Sequence, residues 1–364
     1  MHAGVPIAPY RHGMALTEGE GPAGAPWERP LHGTVDRLVV DSELLAGNPL
    51  GDPTRRPLYV YRPPGVERDH PRPLPSVYVI QGYTGQLDMW FNRTWLEPTM
   101  LERLDAMFAA GECPDAIVVF VDCWTRYGGS QFLNSLALGR YQDHLCDEVP
   151  AFVDERYPTL ADRDHRGLTG KSSGGYGAMV VPMMRPDVFG AFASHAGDAL
   201  FEACYLRDFP KVARALRDDF DGSYEVFFER LATAERMEEK LSKPLEVYGY
   251  AAAYSPDPAS PGKALLPFDV ATGRLVDDVW AQWLERDPVR MAPAHADALR
   301  SMRRIYLDAG RRDEYYLDLG AQAFAAELEA LGVEHSLDLF DAKHGGLTYR
   351  YPGAIRELVL ALTP

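Results

Sequence analysis

The sequence predicts an α/β protein: a mostly parallel sheet with helices on both faces. Three observations carry that prediction. From Gly33 onward, short β-branched or aromatic runs alternate with helical periods. The composition is that of a folded chain, with 46% apolar residues among 364. One Gly-rich junction, 170–178, passes directly from a strand pattern into a helix pattern. Strands joined through helices run parallel, and a parallel sheet must be covered on both sides.

Gly and Pro fill ten of the first thirty positions without apolar periodicity, so residues 1–32 are expected to form an irregular N-terminal arm. Thr34 to Val40, Pro57 to Tyr61, Ser76 to Gln81 and Ala116 to Val121 then read as strands bounded by Pro, Gly and Asp. Helical periods follow at Leu96 to Ala110, Tyr141 to Glu155, Tyr176 to Met184, Gln322 to Leu331 and Ala354 to Leu362. Later strands are expected at Arg166 to Thr169, Ala191 to Ser194, Arg304 to Leu307 and Glu334 to Phe340. The rhythm lapses between Asp198 and Met302. A charged helical segment (Ala232 to Leu241), a Pro-rich segment (Pro256, Pro258, Pro261, Pro267) and an aromatic stretch with Trp280 and Trp283 lie there. Such a stretch is too long for a bare loop. It reads as a helical cap inserted at about 199–302 into a single domain of 33–364.

Charge and composition exclude several classes. There are 53 acidic and 37 basic side chains, a net charge of −16, which repels nucleic-acid phosphates and anionic lipids alike. The densest basic stretches, Arg303–Arg304 and Arg311–Arg312, are only doublets. Neither nucleic acid nor membrane is expected as a partner, and no run of 18 apolar residues could span a bilayer. Cys113, Cys123, Cys146 and Cys204 form no C-x-x-C pair, and the N-terminus lacks a basic then apolar leader, so a cytoplasmic location is expected. The segment Asp218 to Gly222 mimics a calcium loop. With Gly222 as the loop glycine, however, Arg217 stands first and Phe228 last, where carboxylates are needed. No metal and no cofactor are expected.

The chemistry centres on Gly170-Lys171-Ser172-Ser173-Gly174, the spacing of a nucleophile elbow. In so tight a turn, side chains two positions either side of the serine would strike backbone, and glycine removes them. A competing reading is a phosphate-cradling loop, since Gly170-Lys171-Ser172 matches its tail. The first glycine of that motif is replaced by His165, and Gly167 has the wrong spacing. A serine nucleophile needs a base, itself oriented by an acid, in the chain order Ser, acid, His. The strand ending near Leu307 leads to Asp313, and the strand ending at Phe340 leads to His344, flanked by Gly345 and Gly346. Asp313 has the loop length to reach across, whereas Asp308 lies at the strand end. His335 falls early in its strand and His295 within the insertion. His195 precedes the acid in the chain, which leaves it as a candidate pocket residue.

These segments resemble the putative-esterase family of α/β-hydrolases, which includes S-formylglutathione hydrolases, enterochelin esterases, feruloyl esterases and mycolyltransferases. The similarity rests on Val79 to Tyr83, Tyr127 to Ser135, Gly170 to Ala178, Gly310 to Asp313 and Lys343 to Gly345. The resemblance implies an α/β-hydrolase fold, with Ser172 as nucleophile, His344 as base and Asp313 as the acid. It also implies an oxyanion hole made of the backbone N–H groups of Tyr83 and Ser173. Lys171 and Ser173 flank the nucleophile where the family commonly has apolar residues, and Lys171 could meet an acidic substrate group or a surface acid. Trp90, Phe91 and Trp95, Trp124 and Tyr127, and Trp280 with Trp283 are aromatic candidates for the pocket, beside His195. The expected activity is hydrolysis of a small-molecule carboxylic ester through an acyl-enzyme. An acyltransferase with the same triad, a non-catalytic binding module and a nucleotide binder remain the alternatives.

Overall fold

The computed structural model describes residues 30–93 and 97–364. Nearly all of the arm expected at 1–32 lies outside them, as do Trp95 and the Leu96 end of the first expected helix. Eight strands form one sheet: β1 (Thr34–Asp41), β2 (Arg55–Arg62), β3 (Ser76–Ile80), β4 (Ile117–Val121), β5 (Arg166–Lys171), β6 (Ala191–His195), β7 (Arg304–Gly310) and β8 (Ser336–Phe340). Their spatial order is β1-β2-β4-β3-β5-β6-β7-β8. β2 pairs antiparallel with β1 and with β4, and every other pairing is parallel.

Each strand of this sheet falls where the alternation places it, and its central parallel strands do so because fully buried parallel strands read as continuous apolar runs. β3 and β4 are buried at every position. Successive residues face opposite sides, so Val77 and Val79 belong to one core while Tyr78 and Ile80 belong to another. The first core is closed by helices α1 (Met100–Ala109) and, at the C-terminus, α8 (Tyr351–Leu362). The second is closed by α2 (Ser173–Met184) and α7 (Leu317–Ala330).

Helix boundaries shift for local reasons. α1 begins at Met100 because Thr99 and Glu102 form a reciprocal capping box. The period at Tyr141 to Glu155 is not one regular α-helix, since a π-helical turn, His144–Glu148, interrupts it. Between β6 and β7 run α3 (Phe209–Asp219), α4 (Tyr224–Thr233), α5 (Glu239–Tyr254) and α6 (Asp277–Leu284). The helix expected over Ala232 to Leu241 is therefore two helix ends. α4 stops at Thr233 and α5 starts at Glu239, leaving the charged stretch between them exposed. Trp280 and Trp283 are not pocket residues. Both pack against Phe209, and the Trp283 indole N–H donates to Ser255 Oγ at 2.9 Å, which knits the insertion to itself. Phe91 stacks edge-on against Tyr59 with ring centroids 5.3 Å apart. No helix among the described residues is long and apolar enough to cross a membrane.

Candidate active site

Ser172 sits between β5 and α2 with φ +59° and ψ −125°, a conformation that L side chains rarely adopt. The surroundings enforce it. A Cβ on Gly170 would stand 2.5 Å from the Gly174 backbone, and one on Gly174 would stand 2.6 Å from the Ile80 carbonyl. The Ser172 N–H donates to the His195 carbonyl at 3.0 Å, tying the turn to the neighbouring strand. The serine is thus held at a strained tip by two glycines and a strand.

The loop after β7 and the loop after β8 meet beside it. The Asp313 carboxylate is fully buried, and its Oδ2 lies 2.8 Å from His344 Nδ1, while Oδ1 accepts the Tyr315 N–H at 2.8 Å. The imidazole keeps a 13% exposed side chain and borders, with Ser172, a cavity of about 230 Å³. No direct hydrogen bond joins Ser172 Oγ to His344. Such bonds are often long before substrate binds and tighten in the reacting complex. The His344 backbone is fixed from both sides, its N–H donating to Glu314 at 3.0 Å and its carbonyl accepting from Lys171 Nζ at 3.0 Å. Lys171 therefore meets neither a substrate group nor a surface acid through that bond. It anchors the histidine loop, and burial pushes its ammonium below the usual lysine range against the pull of Asp313, Asp198 and Glu314.

Tyr83 lines the cavity on the loop after β3. Its hydroxyl lies within hydrogen-bond reach of the Tyr127 carbonyl and, at 3.0 Å, of the Leu245 carbonyl in α5. Ser173 opens α2, so its N–H is one of the donors a helix start leaves unpaired. Its side chain turns inward, with Oγ 3.4 Å from Asp198.

The aromatic candidates divide. Trp90 borders the cavity from beneath, 1% exposed and edge-on to Tyr351 at 5.1 Å. Trp124, Tyr127 and His195 do not line it. Trp124 stands in a two-stranded hairpin with its carbonyl accepting from Arg56. The Tyr127 ring packs on Phe228 and Tyr248 of the insertion, at 5.2 and 5.3 Å. His195 is wholly buried at the end of β6, its Nδ1 bonded to Asp308 at 2.8 Å and its ring 4.6 Å from that of Tyr351. The walls that replace them come from segments with no motif: Asp198, Tyr205 and Asp208 after β6, Glu246 and Tyr250 on α5, and Tyr315. Asp198 could have been found, because it follows a parallel strand at its C-terminal end, where such sheets place their sites.

A family model described as "Putative esterase" matches residues 53–353. A curated relative from Corynebacterium glutamicum, an uncharacterized protein, is 24% identical over 183 residues. That match spans 50% of this chain and 39% of the relative's length. Among solved structures, the chain is similar to a ferulic acid esterase (TM-score 0.56, 16% identity, 91% of this chain and 98% of that one). It is also similar to a fluorophosphonate-binding serine hydrolase of Staphylococcus aureus (TM-score 0.54, 14% identity, 91% and 99%). An S-formylglutathione hydrolase from Agrobacterium tumefaciens shares the fold as well (TM-score 0.51, 15% identity, 92% and 98%).

Proposed function

The chain belongs to the putative esterase family, and from that premise we propose that it is a serine esterase cleaving small-molecule carboxylic esters. One observation carries the reading. A serine held at φ +59° shares a cavity with a histidine whose far ring nitrogen is bound by a buried carboxylate. In this mechanism Ser172 Oγ attacks the ester carbonyl carbon while His344 Nε2 takes its proton. Asp313 fixes the tautomer that leaves Nε2 free to accept, and stabilises the imidazolium that results. The carbonyl oxygen becomes an oxyanion facing the N–H groups of Tyr83 and Ser173, each such donor being worth about 3 kcal/mol when preorganised. The tetrahedral intermediate collapses, His344 returns the proton to the departing alkoxide, and the acyl group stays on Ser172. Water, deprotonated by His344, then releases the acid and restores the serine.

The insertion between β6 and β7 acts as a cap in this proposal, since Tyr205, Glu246 and Tyr250 supply one side of the cavity. Four buried cysteines without a disulfide support a cytoplasmic location. The test is labelling with a fluorophosphonate probe, together with hydrolysis of a nitrophenyl ester series. Labelling and turnover are expected in the native protein and absent in Ser172→Ala. A folded native protein that neither labels nor turns over any ester would overturn the proposal. Product partition with a competing alcohol separates hydrolysis from acyl transfer, and transfer dominating at low alcohol concentration would replace the first with the second.

A further inference from the structure

The cavity beside Ser172 carries one carboxyl group whose environment the proposed esterase chemistry does not explain. Asp198 is 3% exposed and lines the cavity with the nucleophile and His344. Its Oδ2 takes the Tyr205 hydroxyl at 2.8 Å, with Gln131 Nε2 and Ser173 Oγ each at 3.4 Å. Among the described residues, no donor reaches Oδ1 and no cation stands within ion-pairing distance of either oxygen.

The other acids of the cavity differ on this point. Glu246 is paired with Lys243, and Asp208 with Lys211 at 2.9 Å and with Lys243 at 3.2 Å. Lys171, the one lysine or arginine among the described residues of the wall, gives one of its three N–H groups to the His344 carbonyl. Three of the wall's tyrosine hydroxyls also point their protons away from a ligand. Tyr205 donates to Asp198, Tyr250 to Glu246 at 3.0 Å, and Tyr83 to backbone carbonyls. Around Asp198 the wall offers acceptors and aromatic faces, with Tyr205 and Tyr250 4.8 Å apart. Burial pushes the Asp198 carboxyl up to about 6, although Tyr205, Gln131 and the nearby His344 hold it down in part. A cation bound at Oδ1 would favour its ionised form.

We propose that the cavity selects esters bearing a protonated amine, with Asp198 receiving the ammonium group beside the faces of Tyr205 and Tyr250. This deepens the esterase reading and rests on it for the word ester; the ammonium site itself does not depend on catalysis. An ammonium brings the donor that Oδ1 lacks, gains a charge-assisted bond there, and meets electron-rich ring faces. An anionic group set against Oδ1 would meet the Asp198 carboxyl where no described residue forms an ion pair with it.

The experiment measures affinities of phenethylammonium, 2-phenylethanol and 3-phenylpropanoate by calorimetry, for the native protein and for Asp198→Asn. A charge-assisted hydrogen bond predicts that the cation binds at least about tenfold more tightly than the alcohol, with the anion weakest. In D198N that advantage should shrink to within about threefold. Equal or tighter binding of the anion, or an unchanged cation preference in D198N, would overturn the inference. If D198N does not fold, the native ranking of the three ligands decides alone. Nitrophenyl esters of 4-aminobutanoate and pentanoate separate the two levels of argument. Turnover of both at equal rates sinks the ammonium site alone, whereas tight ammonium binding without any turnover sinks the esterase reading and leaves the site standing.

Discussion

Asp313 and His344 are joined at 2.8 Å, and so are Asp308 and His195, one strand-end away on the same sheet. By pair geometry alone the two are interchangeable. Their surroundings are opposite. His344 hangs in a loop with a 13% exposed side chain on the cavity wall, while His195 and Asp308 are both fully enclosed. The free ring nitrogen of His195 is buried without a partner, and its aspartate is also bonded to Arg350, which reaches Asp338 and Tyr306 as well. Arg350 lies in the turn that follows the His344 loop. The buried pair thus braces the segment that carries the accessible one. A histidine bound to a carboxylate becomes a catalytic base only where its second nitrogen can meet a substrate.

The largest effect that could break this contrast is on rate. Asp313→Asn should leave the imidazole near its place but favour the wrong tautomer, lowering kcat by about 10⁴, the loss that substitution produces in the serine-protease triad. His344→Ala should cost about as much as Ser172→Ala, on the order of 10⁴ to 10⁶ in kcat, because the two act as a unit. Steady-state kinetics on a nitrophenyl ester reads both. If D313N kept more than a tenth of the native kcat, the assignment of the accessible pair would be wrong.

The buried pair should respond in stability instead. His195→Phe keeps an aromatic ring but leaves Asp308 Oδ1 without that donor, and an unsatisfied buried acceptor costs about 1 to 3 kcal/mol, more when charged. Thermal unfolding should show Tm lowered by several degrees, with kcat/KM of the folded protein within about threefold of native. A loss of rate comparable to that of D313N, without a fall in Tm, would show that His195 takes part in the chemistry.

This contrast also marks what was legible beforehand. The strands and the glycine-flanked turn at Ser172 could be read because tight turns need glycine and buried parallel strands need continuous apolar runs. Access could not be read. His195 and Asp308 are opposite each other in the β6–β7 register, and only the pairing of those strands buries both. The same holds for the cavity walls. Tyr205, Glu246 and Tyr250 come from an insertion whose helices carry no motif, and their approach to Ser172 depends on packing between segments far apart in sequence. The helix expected at Ala232 to Leu241 failed for a related reason: its charges occupy an exposed break, and periodicity alone did not locate the ends of α4 and α5.

Lys171 offers a finer cut between support and chemistry. Its amino group holds the His344 carbonyl at 3.0 Å, so Lys171→Met should loosen the loop without removing a reacting group. A small misplacement of a catalytic side chain is costly, and about a tenfold drop in kcat with KM within a factor of about two is expected. A rise in KM with unchanged kcat would instead assign the lysine to substrate binding.

The smallest effect lies in the pH dependence of stability, where two buried aspartates should move in opposite directions. Burial alone would raise the Asp308 carboxyl, but the charges and hydrogen bonds of His195 and Arg350 outweigh it and hold the group below its ordinary value. Its contribution is therefore complete above the unfolded value of about 3.9 and is lost as pH falls through the lower folded value. Asp198 is pushed up to about 6 by burial, so its contribution is complete below about 3.9 and is lost as pH rises through about 6. Urea unfolding of the native protein, D308N and D198N across the acid range reads both. The native advantage over D308N should narrow below about pH 4, and the native protein should lose ground to D198N between about pH 4 and 6. Curves for the three proteins that ran parallel through both windows would mean that neither carboxyl differs from its unfolded value. The electrostatic distinction between the braced pair and the open cavity would then fail.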